Sequence, residues 1–109
     1  MKYNFDKYTY RVTWSEEDNE FVGLCLEFPS LSALAKTPDG ALKEIRFVVK
    51  ECILSLIKEK ASVPEPIAIK RFKGNLTLRV PPEIHRKLAI SAAEAGVSLN
   101  QYILSKIAA

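Results

Sequence analysis

Asn75-Leu76-Thr77-Leu78-Arg79-Val80, followed at once by Pro81-Pro82-Glu83, is the stretch on which the reading of this chain turns. Side chains alternate across a strand, so Leu76, Leu78 and Val80 share one face and Asn75, Thr77 and Arg79 the other. The apolar face calls for a core to cover it. The polar face carries an amide, a hydroxyl and a guanidinium but no carboxylate, a set suited to hydrogen-bonding base edges. Pro81-Pro82 ends the strand and opens a helix to about Ala95, with Ile84, Leu88, Ala92 and Ala95 in one stripe and Gly96 as a left-handed cap. Ser98 then caps a second helix, and Gln101 completes an S-x-x-Q capping box. Leu99, Tyr102, Ile103 and Ile107 face inward on it. Neither helix is long enough to stand alone, and one strand with two short helices cannot close a core. Residues 70–109 are therefore expected to fold only as a dimer.

Strand, helix, helix at these lengths resembles a ribbon-helix-helix DNA-binding domain, in which two chains pair their single strands into an antiparallel ribbon that enters the major groove. On that reading Leu76, Leu78, Val80, Ile84, Leu88, Tyr102 and Ile103 form the dimer core. Two copies of Asn75, Thr77 and Arg79 read bases: Arg suits guanine, Asn suits adenine, and Thr serves either or touches a thymine methyl. Lys73 and the helix start at Ser98, Leu99 and Asn100 bind phosphate, because free N–H groups at a helix N-terminus attract anions.

Charge agrees with this division. Residues 70–109 carry seven Lys/Arg against two Glu, a balance of +5, whereas residues 1–69 carry nine basic and eleven acidic residues, a balance of −2. A basic tail points to a polyanionic partner, here operator DNA. At 109 residues the chain is one or two small domains, and the reading places 1–69 in the first and 70–109 in the second. Cys25 and Cys52 lack C-x-x-C spacing and are expected as reduced structural thiols. The N-terminus is not a signal or transit peptide and no apolar run is long enough to span a bilayer, so a cytoplasmic location without membrane contact is expected.

The first half alternates from Tyr8 to Trp14, turns at Ser15–Asn19, and alternates again from Glu20 to Phe28, which predicts a hairpin. Gly23 marks a bulge or a close backbone approach. After Pro29-Ser30, Leu31 to Ala35 supplies a third short strand. Thr37 caps a helix with Pro38 at its first position and Asp39 at the positive end of its dipole. Leu42, Ile45, Val49, Cys52, Ile53 and Leu56 follow helical spacing to about Lys60, widened by Ala41, Val48 and Ile57. Ile67 to Ile69 is expected to add an edge strand after the ASVPEP break. The fold class is thus α+β, a βββαβ domain followed by a β-α-α domain.

No catalytic constellation accompanies these elements. His85 is the lone histidine, set beside Arg86 and Lys87 on a helix start, and the acidic residues fall at termini, turns and caps. No nucleophile has its base, and no metal cluster or glycine-rich phosphate loop is present. A protein that is not an enzyme and needs no cofactor is expected.

Both halves together resemble the HicB family of antitoxins over about residues 5–109. The carriers are Tyr10-Arg11-Val12, Phe28-Pro29-Ser30-Leu31 and Thr37-Pro38-Asp39-Gly40-Ala41-Leu42-Lys43-Glu44 in the first half. In the second they are Leu78-Arg79-Val80-Pro81-Pro82-Glu83-Ile84-His85 and Gly96-Val97-Ser98-Leu99-Asn100-Gln101-Tyr102. The resemblance implies a partial RNase H-like N-terminal domain without nuclease activity, which masks a HicA-type mRNA-cleaving toxin. It implies a C-terminal domain that represses the protein's own operon as a homodimer or dimer of dimers. Ser32–Lys36 and Gly40 depart from the usual family pattern. The competing reading is a regulator without a toxin, its first domain serving oligomerisation or ligand sensing.

Overall fold

A computed structural model of the chain describes residues 4–109. It contains two compact units, divided between Phe72 and Lys73.

Unit 1 is a three-stranded antiparallel sheet with one long helix. β1 (Tyr10–Ser15) pairs with β2 (Glu20–Cys25), and β2 with β3 (Ser32–Ala35), in the order β1-β2-β3. The hairpin register runs from Tyr10 opposite Cys25 to Ser15 opposite Glu20. Its turn is closed by Ser15 Oγ donating to Asp18 Oδ2 at 2.8 Å, and Asn19 takes the positive φ of 54° that a short amide side chain tolerates. Both predicted hairpin strands shift at their ends. Tyr8 precedes β1 as a buried residue whose hydroxyl donates to the Pro64 carbonyl at 2.7 Å. After Cys25 the chain turns, with Phe28 N–H on Cys25 O and Leu31 N–H on Phe28 O, so β2 stops short of Phe28.

α1 (Pro38–Lys58) begins as the sequence requires: Thr37 Oγ1 accepts the Gly40 N–H at 3.0 Å and Pro38 lies in the first turn. A Cβ at position 40 would lie 2.9 Å from that same Oγ1, so the cap itself favours glycine there. Ala41, Ile45, Val49 and Ile53 recur every four residues and are fully buried on the sheet. With Tyr8, Cys25 and Phe28 they make the core, flanked by half-buried Cys52, Leu56, Ile57 and Val63. Leu42, expected in the stripe, is instead 38% exposed, because the four-residue row tilts away from it.

Gly23 resolves as a close approach, since the hairpin register runs through it opposite Val12 without a bulge. A Cβ there would stand 2.5 Å from the Ala41 carbonyl oxygen and 2.9 Å from Ile45 Cβ. The helix backbone rests directly on the middle strand.

The predicted edge strand at Ile67–Ile69 does not form. Those residues make a turn, with the Ile69 and Lys70 N–H groups on the Pro66 carbonyl. The Ile67 N–H is taken by the Glu27 carboxylate at 2.8 Å, so it is not free for a sheet ladder. Unit 1 is therefore βββα in this structure rather than βββαβ.

Unit 2 holds α2 (Pro82–Ala95) and α3 (Leu99–Ile107). Gly96 ends α2 at φ 72°, and Val97 N–H reaches back to Ala92 O at 3.1 Å, a Schellman-type closure. Ser98 and Gln101 form the reciprocal capping box at the start of α3. Asn75–Val80, expected as a strand, carries no regular secondary structure in the single chain. The physical reason is the absence of a ladder: a strand is held by hydrogen bonds to a neighbour, and unit 2 has no other strand to offer.

Candidate nucleic-acid interface

Unit 2 carries a groove of about 640 Å³. Residues 74–78 and Val80 form one wall, with His85 and Leu88 of α2 and Leu99, Asn100, Ile103, Leu104 and Ile107 of α3 around it. The lining is mostly aliphatic, and much of it is bare: Leu76 is 92% exposed, Leu78 65%, Leu104 64% and Ile107 66%. A core residue would bury most of this surface, and each leucine left in water forgoes about 2 kcal/mol of transfer free energy.

Of the predicted dimer-core residues, Leu76, Leu78, Val80, Leu88 and Ile103 meet in this groove, while Ile84 and Tyr102 are not in its lining. Ile84 is 46% exposed, and Tyr102 is half-buried with the Lys106 ammonium 5.3 Å from its ring centre. None of the seven is fully buried in one chain.

The predicted base readers are all exposed, and they do not share a face. Asn75 and Thr77 line the same groove as Leu76 and Leu78, whereas Arg79 does not. Alternation needs a pleated strand, so an unpaired segment leaves polar and apolar side chains mixed. Among the phosphate candidates, Lys73, Ser98 and Asn100 are exposed and Leu99 is half-buried. Ser98 holds the Gln101 N–H at 3.1 Å, which fixes the first turn of α3 and leaves that turn's other amides at a bare helix end. Among the described residues no Lys or Arg of unit 2 is in an ion pair, and Lys73, Arg79, Arg86 and Lys87 are all exposed. His85 and Leu104, which sequence reasoning did not assign to a site, also line the groove; Leu104 follows Asn100 by one helical turn, and that spacing was the available signal.

Unit 1 shows polar interactions of another kind. The Glu27 carboxylate accepts Thr9 N–H at 3.0 Å, Thr9 Oγ1 at 3.0 Å, Ile67 N–H at 2.8 Å and the Cys25 thiol at 3.4 Å. Burial alone would raise its pKa, but the N–H groups of Ile67 and Thr9 outweigh burial and hold it below the ordinary value. The Cys25 thiol is pushed up to about 11 by burial and by its bond to that carboxylate, which keeps it protonated. Tyr10 is pushed up to about 12, chiefly by burial. Arg46 lies over the Tyr10 ring, 5.4 Å from its centre, and pairs with Asp6, which raises the guanidinium's pKa. Among the described residues no three His, Cys, Asp or Glu side chains converge as a cation site requires. No helix among them is long and apolar enough to cross a membrane.

A family model described as the HicB family matches residues 58–107. The match begins at the end of α1 and covers nearly all of unit 2, a little under half of the chain. No curated protein and no solved structure gives a significant match to the chain.

Proposed function

We propose, taking the HicB-family match as the premise, that this protein is the antitoxin of a toxin–antitoxin pair and the repressor of its own operon. Two chains pair residues 75–80 into an antiparallel ribbon. Leu76, Leu78 and Val80 of each copy turn onto the four helices, and Asn75, Thr77 and Arg79 turn outward into the major groove. Ser98, Leu99 and Asn100 anchor the assembly on flanking phosphates. Unit 1, a partial RNase H-like domain on this reading, masks a HicA-type toxin by contact and has no catalytic role. The protein acts in the cytoplasm and needs no cofactor.

The observation that carries the reading is the unfinished core of unit 2. A strand-length segment with bare Leu76 and Leu78 lies along an aliphatic groove, in a unit whose cations have no carboxylate partners among the described residues. A second copy supplies the missing ladder and the missing apolar surface together. The test is a gel shift on the DNA upstream of the protein's own gene, at two salt concentrations, with wild type beside Arg79→Ala. Specific, salt-sensitive binding lost in the variant supports the ribbon. Binding indifferent to Arg79 counts against it. Co-purification with the product of an adjacent short basic reading frame tests the toxin half.

A further inference from the structure

Residues 66–82 contain four cations, Lys70, Arg71, Lys73 and Arg79, and no carboxylate. The ribbon reading uses two of them. Lys70 and Arg71 lie at the end of unit 1, exposed, beside a phenylalanine that is 68% exposed. Lys70 Nζ sits 5.6 Å from the centre of the Phe72 ring, and among the described residues neither Lys70 nor Arg71 is in an ion pair. A solvated linker has no need of a bare aromatic ring. Two unpaired cations beside an exposed apolar ring match the surface of a nucleic-acid backbone, which offers phosphates and the apolar faces of sugars.

We infer that Lys70, Arg71 and Phe72 form a basic arm that binds the DNA backbone outside the groove read by the ribbon. The inference rests on the ribbon reading and extends it. In an antiparallel ribbon the two strand starts lie at opposite ends, so the two arms leave in opposite directions. Gly74, at φ 81° with open space around its Cβ position, supplies a bend between arm and strand that other residues adopt with strain. Lys70 precedes Asn75 by five residues, a reach of at most about 17 Å along an extended chain. At about 3.4 Å per base pair that extends the contact by up to some five base pairs on each side. Lys70 and Arg71 supply charge there, and Phe72 packs against deoxyribose.

The test uses the full-length protein and duplexes of the upstream DNA, wild type beside Lys70→Ala/Arg71→Ala and beside Phe72→Ala. All three positions are exposed, so the fold has no stake in them. A dimer losing four phosphate contacts should lower the slope of log K against log salt by about 3 to 4. The same variant should lose backbone protection at both flanks and keep it at the centre. Phe72→Ala should weaken binding with the slope unchanged, because an apolar contact releases no counterion. Specific binding by wild type, with slope and flank protection unchanged in the double variant, overturns the arm and leaves the ribbon standing. No specific binding by wild type overturns the ribbon reading and the arm with it.

Discussion

The carboxylate of Glu27 accepts the backbone N–H of Ile67 at 2.8 Å, across forty residues of sequence. With Tyr8 bonded to the Pro64 carbonyl and Pro66 buried, it ties the segment after α1 back onto the sheet. The segment that leaves unit 1 toward the basic tail therefore starts from a fixed point.

That bond has a pH dependence with a definite sign. The folded pKa of Glu27 lies below its ordinary value, so its stabilisation is complete above the ordinary carboxyl range and is lost as pH falls through the lowered pKa. In an NMR titration the Ile67 amide should shift with acid in wild type and stay still in Glu27→Gln. An amide that moves equally in both would remove Glu27 as the cause. Glu27→Ala, which strands the Thr9 and Ile67 amides, should cost about 1–3 kcal/mol.

Gly23→Ala should destabilise unit 1 by about 1–3 kcal/mol, because the new methyl meets backbone oxygen at Ala41 rather than a side chain able to swing aside. Denaturant melts give the number. An unchanged midpoint would mean that helix and sheet can separate at this point.

Leu78→Lys tests the half-core. Leu78 is 65% exposed in one chain, so the change is mild there. Across a paired ribbon it buries an unpartnered charge, at a cost of about 3–5 kcal/mol. Sedimentation should show dimer for wild type and monomer for the variant at the same concentration, and operator binding should go with it. A dimeric variant would place the interface elsewhere.

Arg79→Ala should leave the dimer intact and cost about 1–3 kcal/mol of operator affinity, with relaxed preference at the base pair it reads. Competition against single-base operator variants measures both. If affinity falls uniformly across variants, Arg79 is touching phosphate instead of a base.

Local signals were legible in the sequence where the chain satisfies itself. Thr37-Pro38 opens α1, Gly96 closes α2 and Ser98 with Gln101 opens α3, because caps are decided by residues three or four apart. The hairpin was legible because both alternating runs lie within one chain with a polar turn between them. Ile67–Ile69 was misread, since three alternating residues are a weak pattern and their amide went to a carboxylate forty positions away. Leu42 was misread because spacing gives a stripe but not the tilt of the helix on its sheet. Residues 75–80 were legible as aliphatic and polar in alternation, but the structure does not sort them onto two faces. A single chain offers them no neighbour to be sorted against.

The contact at Gly23 has a mechanical consequence. The Ala41 carbonyl and the Ile45 side chain both close on the notch that glycine leaves in the middle strand. A helix seated this way meets backbone as soon as it slides across that point. Whatever grips α1 grips β2 with it, and a pull on either reaches the other without slack.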